Sequence, residues 1–166
     1  MFSIDHYIDS IKSNLEKHSD LATRSLEKVM SYTISPTVEV LDFIVSIEPT
    51  RFELSVMLLS MDSEANEVFQ DEVNSSVFAG STEILAEVAY YELEDGQREN
   101  FGDFYEENEH ELAAEERQAF TDWFYACWQR ADGDQIQKPS YVAFHDENQS
   151  FHLNSGQWVE DEEKWS

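Results

Sequence analysis

Apolar residues recur every three or four positions between Ile4 and Met30, which is the spacing of one face of an α-helix. Ser3 is placed to cap the start of this helix. Ser19 and Asp20 can cap a second helix, so we expect a break near His18. The apolar positions are Ile4, Tyr7, Ile8, Ile11, Leu15, Ala22, Leu26, Val29 and Met30.

Two strands follow this helical region, at Thr37 to Ile47 and at Phe52 to Met61. The first is rich in β-branched residues, and the second alternates apolar and polar side chains. The polar residues 48–51 between them predict a turn, so the two strands form a hairpin. Apolar residues on both faces indicate a central place in a sheet, with a helix covering one side.

The next part of the chain has less regular patterns. Residues 67–78 predict a third strand, because apolar residues are frequent there. Residues 82–93 predict a helix capped by Ser81, since Ile84 and Val88 share a helical face. Val88 and the tyrosines after it would also suit a strand.

Residues 94–108 predict a loop or a loosely held arm, pinned to the body by its aromatic side chains. The clearest helix covers about 108–131, with acidic residues in its first turns and Gly133 placed to stop it. Its aromatic face predicts packing across the sheet. That face consists of Leu112, Phe120, Trp123, Phe124, Cys127, Trp128 and Ala131.

A last hairpin fits residues 140–145 and 150–154, with a turn at 146–149. The tail, residues 159–166, has four acidic residues against Lys164 and predicts a frayed end. We therefore expect one α+β domain over residues 1–158. Its antiparallel sheet should pack against an N-terminal helix and the long aromatic-rich helix near 108–131.

Charge changes this picture of an ordinary domain. The chain has 166 residues and a net charge of −26, with 36 acidic and 10 basic residues. This negative charge disfavours binding to nucleic acid or to anionic membranes, because a protein binds their phosphates through clustered Lys and Arg. Cys127 is the single cysteine, and the N-terminus has no signal-peptide pattern, so we expect a reducing, cytoplasmic compartment.

The negative charge is concentrated in one part of the chain. Between Asp62 and Glu116 there are eighteen acidic residues and one base, Arg98. Repulsion within a block of like charges lowers the stability of the folded state. The same block raises the rate of association with a surface of opposite charge. A solvated loop face without a partner is the alternative. We expect a basic protein as the partner, contacted by Asp95, Glu99, Asp103, Tyr105, Glu106, Glu107 and Glu109.

Motifs for catalysis or cofactor binding are missing from the sequence, which has no phosphate loop, GxSxG elbow or CxxC pair. We therefore expect no enzyme, no cofactor and no metal. Cys127 falls on a buried helical stripe, where a thiol is usually inert. If Phe144 pairs with Phe151, His145 and His152 become diagonal neighbours that could bind zinc with a carboxylate. This pair leaves a metal-dependent enzyme as an alternative.

The chain resembles the bacterial immunity proteins that neutralise polymorphic or contact-delivered toxins, which are often nucleases. The resemblance is one of type: a small acidic α+β chain without catalytic motifs, in which aromatic residues stand among carboxylates. The closing run from Tyr141 to Trp158 is similar to hairpins in that group. The resemblance implies an inhibitor that occludes the basic active-site groove of a toxin. A DNA mimic that blocks a nucleic-acid-binding protein is the second interpretation.

Overall fold

The structure, a computed structural model, describes residues 2–69, 77–145 and 147–165. Within these ranges the chain forms helices α1–α3, strands β1–β6 and two short 3₁₀ turns. In chain order the elements are α1 (Ile4–Glu16), α2 (Ser19–Met30), β1 (Val40–Glu48), β2 (Glu53–Met61), β3 (Ser81–Ala89), α3 (Arg98–Arg130), a 3₁₀ turn (Gly133–Gln135), β4 (Ser140–Phe144), β5 (Gln149–His152), β6 (Gln157–Glu160) and a second 3₁₀ turn (Asp161–Trp165).

The six strands form one sheet in the order β3-β2-β1-β4-β5-β6. Strands β1 and β4 are parallel, and the other neighbours are antiparallel. The α+β class is confirmed, as are both predicted hairpins and the central position of β1. Because β1 and β4 are parallel neighbours, the chain between them must cross the sheet, and α3 makes most of this crossing.

The helices cover one face of the sheet. Phe43 on β1 contacts Phe124 and Trp128 on α3, with ring centroids 5.3 and 5.7 Å apart. Helices α1 and α2 pack against α3. Ser3 caps α1 by accepting the N–H of His6 at 3.2 Å, and the two helices separate at His18 as the sequence predicts.

The predicted helix over 82–93 is wrong, because residues 81–89 form strand β3 on the edge of the sheet. The pairing of β3 with β2 contains irregularities near Val56, and Glu87 has a positive φ of 43°. Ile84, Leu85 and Val88 are therefore all buried. This bulged strand reproduces the three- and four-residue spacing that is typical of a helix.

The predicted loop over 94–108 is also wrong, since α3 begins at Arg98. Asn108, where the sequence predicts the start of the helix, is instead a kink with φ −122° and ψ 15°. Its side-chain amide donates a hydrogen bond to the carbonyl of Phe104 at 2.8 Å. The expected aromatic anchoring is present: Phe101 is buried and packs 5.2 Å from Phe52.

Two predictions concern segments next to the sheet. Most of the strand predicted over 67–78 lies outside the described residues; its described ends form isolated bridges, from Glu67 to Met61 and from Phe78 to Ile34. The predicted frayed tail over 159–166 differs from the structure. Strand β6 and the second 3₁₀ turn occupy residues 157–165 and bury Lys164.

No described helix is long and apolar enough to cross a membrane.

Candidate functional site

A cavity of about 580 Å³ lies beside the kinked first half of α3. Its walls come from five parts of the fold: α1, the β1–β2 turn, the end of β3, residues 98–117 of α3 and the end of β4. The size is within the range of small-ligand sites in proteins. The kink at Asn108 lies between the two parts of α3 that contribute to the lining.

The carboxyl group of Glu116 lies in the wall of this cavity and is 7% exposed. Tyr7 donates its hydroxyl to Oε2 at 2.8 Å, and Tyr105 donates to Oε1 at 2.5 Å. Burial raises the pKa of Glu116, although the two hydroxyl donors oppose the shift. Burial and the charge of Glu116 also raise the pKa of Tyr7 and of Tyr90. The cavity thus has one buried acid held between two tyrosines.

Aromatic rings form much of the remaining wall. Tyr7 packs 5.4 Å from Phe101, and Phe101 packs 6.0 Å from Tyr105. Phe52 lies 6.0 Å from Tyr90 and 5.2 Å from Phe101. These contacts fix the rings in place, so the cavity is formed before any ligand arrives.

Charged residues also line the cavity. Arg117 forms an ion pair with Glu147 at 3.2 Å, and Arg98 donates to the carbonyl of Thr50 at 3.3 Å. Glu106 and Glu109 also line the cavity. A second depression of about 740 Å³ adjoins it and shares Arg117 and Glu147.

Five exposed carboxylates continue the negative charge along α3 at a strict four-residue spacing. One α-helical residue rises 1.5 Å, so successive members on the same side of the Asn108 kink are about 6 Å apart along the axis. We call this set the acidic row; its members are Glu99, Asp103, Glu107, Glu111 and Glu115. Among the described residues, the Lys and Arg ion pairs use Asp20, Asp42, Glu53 and Glu147, and none uses a member of the acidic row.

The seven residues predicted to contact a partner fall into two groups. Tyr105, Glu106 and Glu109 line the cavity, and the hydroxyl of Tyr105 is already bonded to Glu116. The other four are exposed outside the cavity lining, and all but Asp95 belong to the acidic row: they are Asp95, Glu99, Asp103 and Glu107. The structure therefore places all seven on or beside the first half of α3.

Sequence reasoning missed the buried acid and the residues that hold it. Glu116 has a signal in the sequence, because it occupies the core stripe of α3 between Leu112 and Phe120 at four-residue spacing. A lone acid in such a stripe needs a partner. Tyr7 had no comparable signal, since its contact with Glu116 spans 109 positions.

The condition for the histidine pair, that Phe144 pairs with Phe151, is not met, because Phe151 pairs with Val142. His152 pairs with Tyr141 and contacts the hydroxyl of Ser155 at 2.7 Å, whereas His145 follows β4 and lines the cavity. Across the described ranges, no group of three or more His, Cys, Asp or Glu residues could hold a metal ion.

Cys127 lies on the buried face of α3 and is 1% exposed. Burial raises the pKa of its thiol, which disfavours the nucleophilic thiolate. The interpretation of this cysteine as core packing is consistent with both observations.

Comparisons of the chain with protein-family models, with curated proteins and with solved structures found no match.

Proposed function

We propose that this protein is an immunity-type inhibitor that acts in the bacterial cytoplasm by binding and neutralising a basic toxin, of which a nuclease is the best example. The role is one of binding without a catalytic step. The observation that carries the proposal is the acidic row together with the acids at the cavity opening, which no Lys or Arg of the described chain pairs except at Glu147.

Electrostatic attraction gives this surface a mechanism. A nuclease groove presents Lys and Arg to substrate phosphates. Carboxylates of the first half of α3 would occupy the positions of those phosphates and exclude the substrate. Opposite fields of this kind raise association rates by tenfold to a thousandfold at low salt. Aromatic side chains near the opening provide buried contact area, as is typical of interface hot spots.

The test captures partners of this chain from its native host, identifies them by mass spectrometry and assays a basic partner for activity with and without the chain. We expect stoichiometric inhibition and an association rate that falls steeply with salt. The triple variant Asp103→Asn, Glu106→Gln, Glu107→Gln should lower that rate about tenfold or more.

A matched control removes the same three charges elsewhere. Glu27, Asp134 and Glu162 are exposed on other parts of the fold, and their amide variants should bind almost normally. An equal fall in association rate in the two triple variants would contradict the proposal, and so would a partner that is bound but remains active.

The regular spacing of the acidic row favours a second candidate function, a DNA mimic that blocks nucleic-acid-binding proteins. Five carboxylates at four-residue spacing form an elongated band of negative charge along α3, as a phosphate backbone does, and the band winds around the helix by about 40° per step and bends at Asn108. This candidate predicts binding to several unrelated DNA-binding proteins and competition by plain duplex DNA. An immunity protein should bind its own toxin and leave unrelated DNA-binding proteins free.

A further inference from the structure

We propose that the cavity binds one arginine side chain of the basic partner. Its guanidinium group would bond to Glu116 and pack against the aromatic walls. The proposal rests on the proposed function for the existence of that partner, and it adds the group that is recognised. Three features of the described residues carry it: the balance of charge, the unused acceptor capacity of Glu116 and the nature of the walls.

The charge around the cavity favours a cation. Four carboxylates and two arginines line it among the described residues. Arg117 is paired with Glu147, and Arg98 donates to the carbonyl of Thr50. Within the described ranges, the lining carboxylates that form no ion pair with Lys or Arg are Glu106, Glu109 and Glu116. An anionic ligand would meet this excess of negative charge inside a partly dehydrated site.

Glu116 retains the capacity to accept further hydrogen bonds. An ionised carboxylate has about four acceptor sites, and Tyr7 and Tyr105 use one on each oxygen. A guanidinium group can donate two parallel N–H bonds to the two oxygens of a carboxylate. Burial raises the pKa of Glu116, so an arriving cation would also favour its ionised form.

The walls favour arginine over lysine. The guanidinium group is planar, weakly hydrated and able to stack on aromatic faces, whereas the ammonium group of lysine is compact and strongly hydrated. Rings line the space next to Glu116, and Tyr105 is the most exposed of them, whereas Tyr7 and Tyr90 are 1% exposed; the lining rings are Tyr7, Phe52, Tyr90, Phe101 and Tyr105. A cavity of about 580 Å³ has room for the whole side chain.

The test measures binding of blocked amino acids to the intact chain by NMR titration, without any partner protein. The four probes are the N-acetyl methylamides of arginine, citrulline, lysine and glutamate. Citrulline is the neutral near-isostere of arginine. We expect arginine to bind about tenfold more tightly than citrulline, with shift changes confined to residues around the cavity. Equal binding of arginine and citrulline, or stronger binding of lysine or glutamate, would overturn the proposal.

Variants separate the cavity from general electrostatics. Glu116→Gln should weaken arginine binding about tenfold, and the matched control Glu27→Gln, exposed on α2, should not change it. Because Glu116 is buried and its variant could unfold, Ala113→Trp provides a second test. Ala113 is an exposed residue of the cavity lining, so a bulky side chain there should obstruct the cavity and abolish binding. Normal arginine binding in a folded form of either cavity variant would refute the proposal.

The outcome is separable from that of the proposed function. If toxin inhibition is intact but the arginine probe does not bind, only the cavity assignment fails. If the probe binds as expected but no basic partner is inhibited, only the inhibitor role fails.

Discussion

At the residue scale, the buried ion pair between Lys164 and Asp42 shows how the C-terminal turn is held. Nζ lies 2.8 Å from Oδ2, and the two side chains are 4% and 7% exposed. Nζ also donates to the hydroxyl of Ser150 at 3.1 Å. Attraction between opposite charges is strong in such a dry site, but so is the cost of removing either charge from water.

Replacing Lys164 with Met should therefore lower the free energy of unfolding by about 3 to 5 kcal/mol, because Asp42 is left as an uncompensated buried charge. Denaturation by urea measures this loss. The double variant Asp42→Asn, Lys164→Met has no such charge and should recover most of it. A single variant within about 1 kcal/mol of wild type would mean that the turn is not held by this pair.

Glu116 predicts a pH dependence of stability. Burial raises its pKa in the folded state above the ordinary value. Folding then favours the protonated form, so the contribution of Glu116 is fully present below its unfolded pKa and is lost as pH rises through the folded value. Glu116→Gln removes this titration. Hydrogen-bond mismatch with Tyr7 and Tyr105 adds a constant cost.

We therefore expect the free energy of unfolding of wild type to fall relative to that of Glu116→Gln as pH rises above about 4. Urea denaturation of both proteins at a series of pH values measures the difference. A difference that stays constant from acid to neutral pH would show that Glu116 titrates at the same pH in the folded and unfolded chains.

At the element scale, two glycines of the α3 region have opposite roles. A Cβ on Gly133, just after α3, would lie 2.1 Å from Cε2 of the fully buried Trp128. A Cβ on Gly102, inside α3, would meet nothing within 4 Å. The left-handed residue after α3 is Asp132, with φ 59°, so Gly133 is needed for close approach and not for backbone conformation.

Gly133→Ala should consequently lower the free energy of unfolding by about 1 to 3 kcal/mol, through overpacking against Trp128. Gly102→Ala should raise it by about 0.5 to 1 kcal/mol, since alanine suits a helix interior better than glycine. Thermal or urea unfolding of the two variants shows whether each substitution raises or lowers the free energy of unfolding. If Gly133→Ala leaves the free energy of unfolding unchanged, Trp128 can move to make room for the added methyl group.

Sequence patterns predict some of these elements and not others. Regular patterns predicted α1, α2, β1, β2 and the second half of α3 with nearly correct bounds, because one face of each is continuously buried. Strand β3 was predicted as a helix because its bulge disturbs the two-residue period. The first half of α3 was missed because acidic residues surround its few buried aromatics, so its buried face is narrow.

At the scale of the whole molecule, the candidate site was only partly predictable. The excess of acids between residues 62 and 116 is a property of composition and could be read from the chain. The cavity depends on five separate parts of the fold meeting beside Glu116, and no local pattern specifies such a meeting. Contact of α1 with α3 brings Tyr7 to this acid, which is a result of packing.

The net charge of −26 leads to a last prediction, on how the stability of the protein depends on salt. Repulsion among like charges opposes compaction, and it is strongest where they are close, as at the four-residue spacing of the acidic row. The screening length falls from about 10 Å at 0.1 M salt to about 3 Å at 1 M, so added NaCl should weaken the repulsion. The melting temperature should therefore rise with NaCl concentration.

A charge-reduced variant locates the source of this effect. Asp103→Asn, Glu107→Gln, Glu111→Gln and Glu115→Gln together remove most of the acidic row while keeping side-chain size. This variant should melt at a higher temperature than wild type in low salt and show a smaller increase with NaCl, because each like-charge pair costs about 0.3 kcal/mol. Equal salt dependence in the two proteins would mean that the repulsion arises elsewhere. A row of exposed acids that costs stability is consistent with the proposal that this surface binds positive charge.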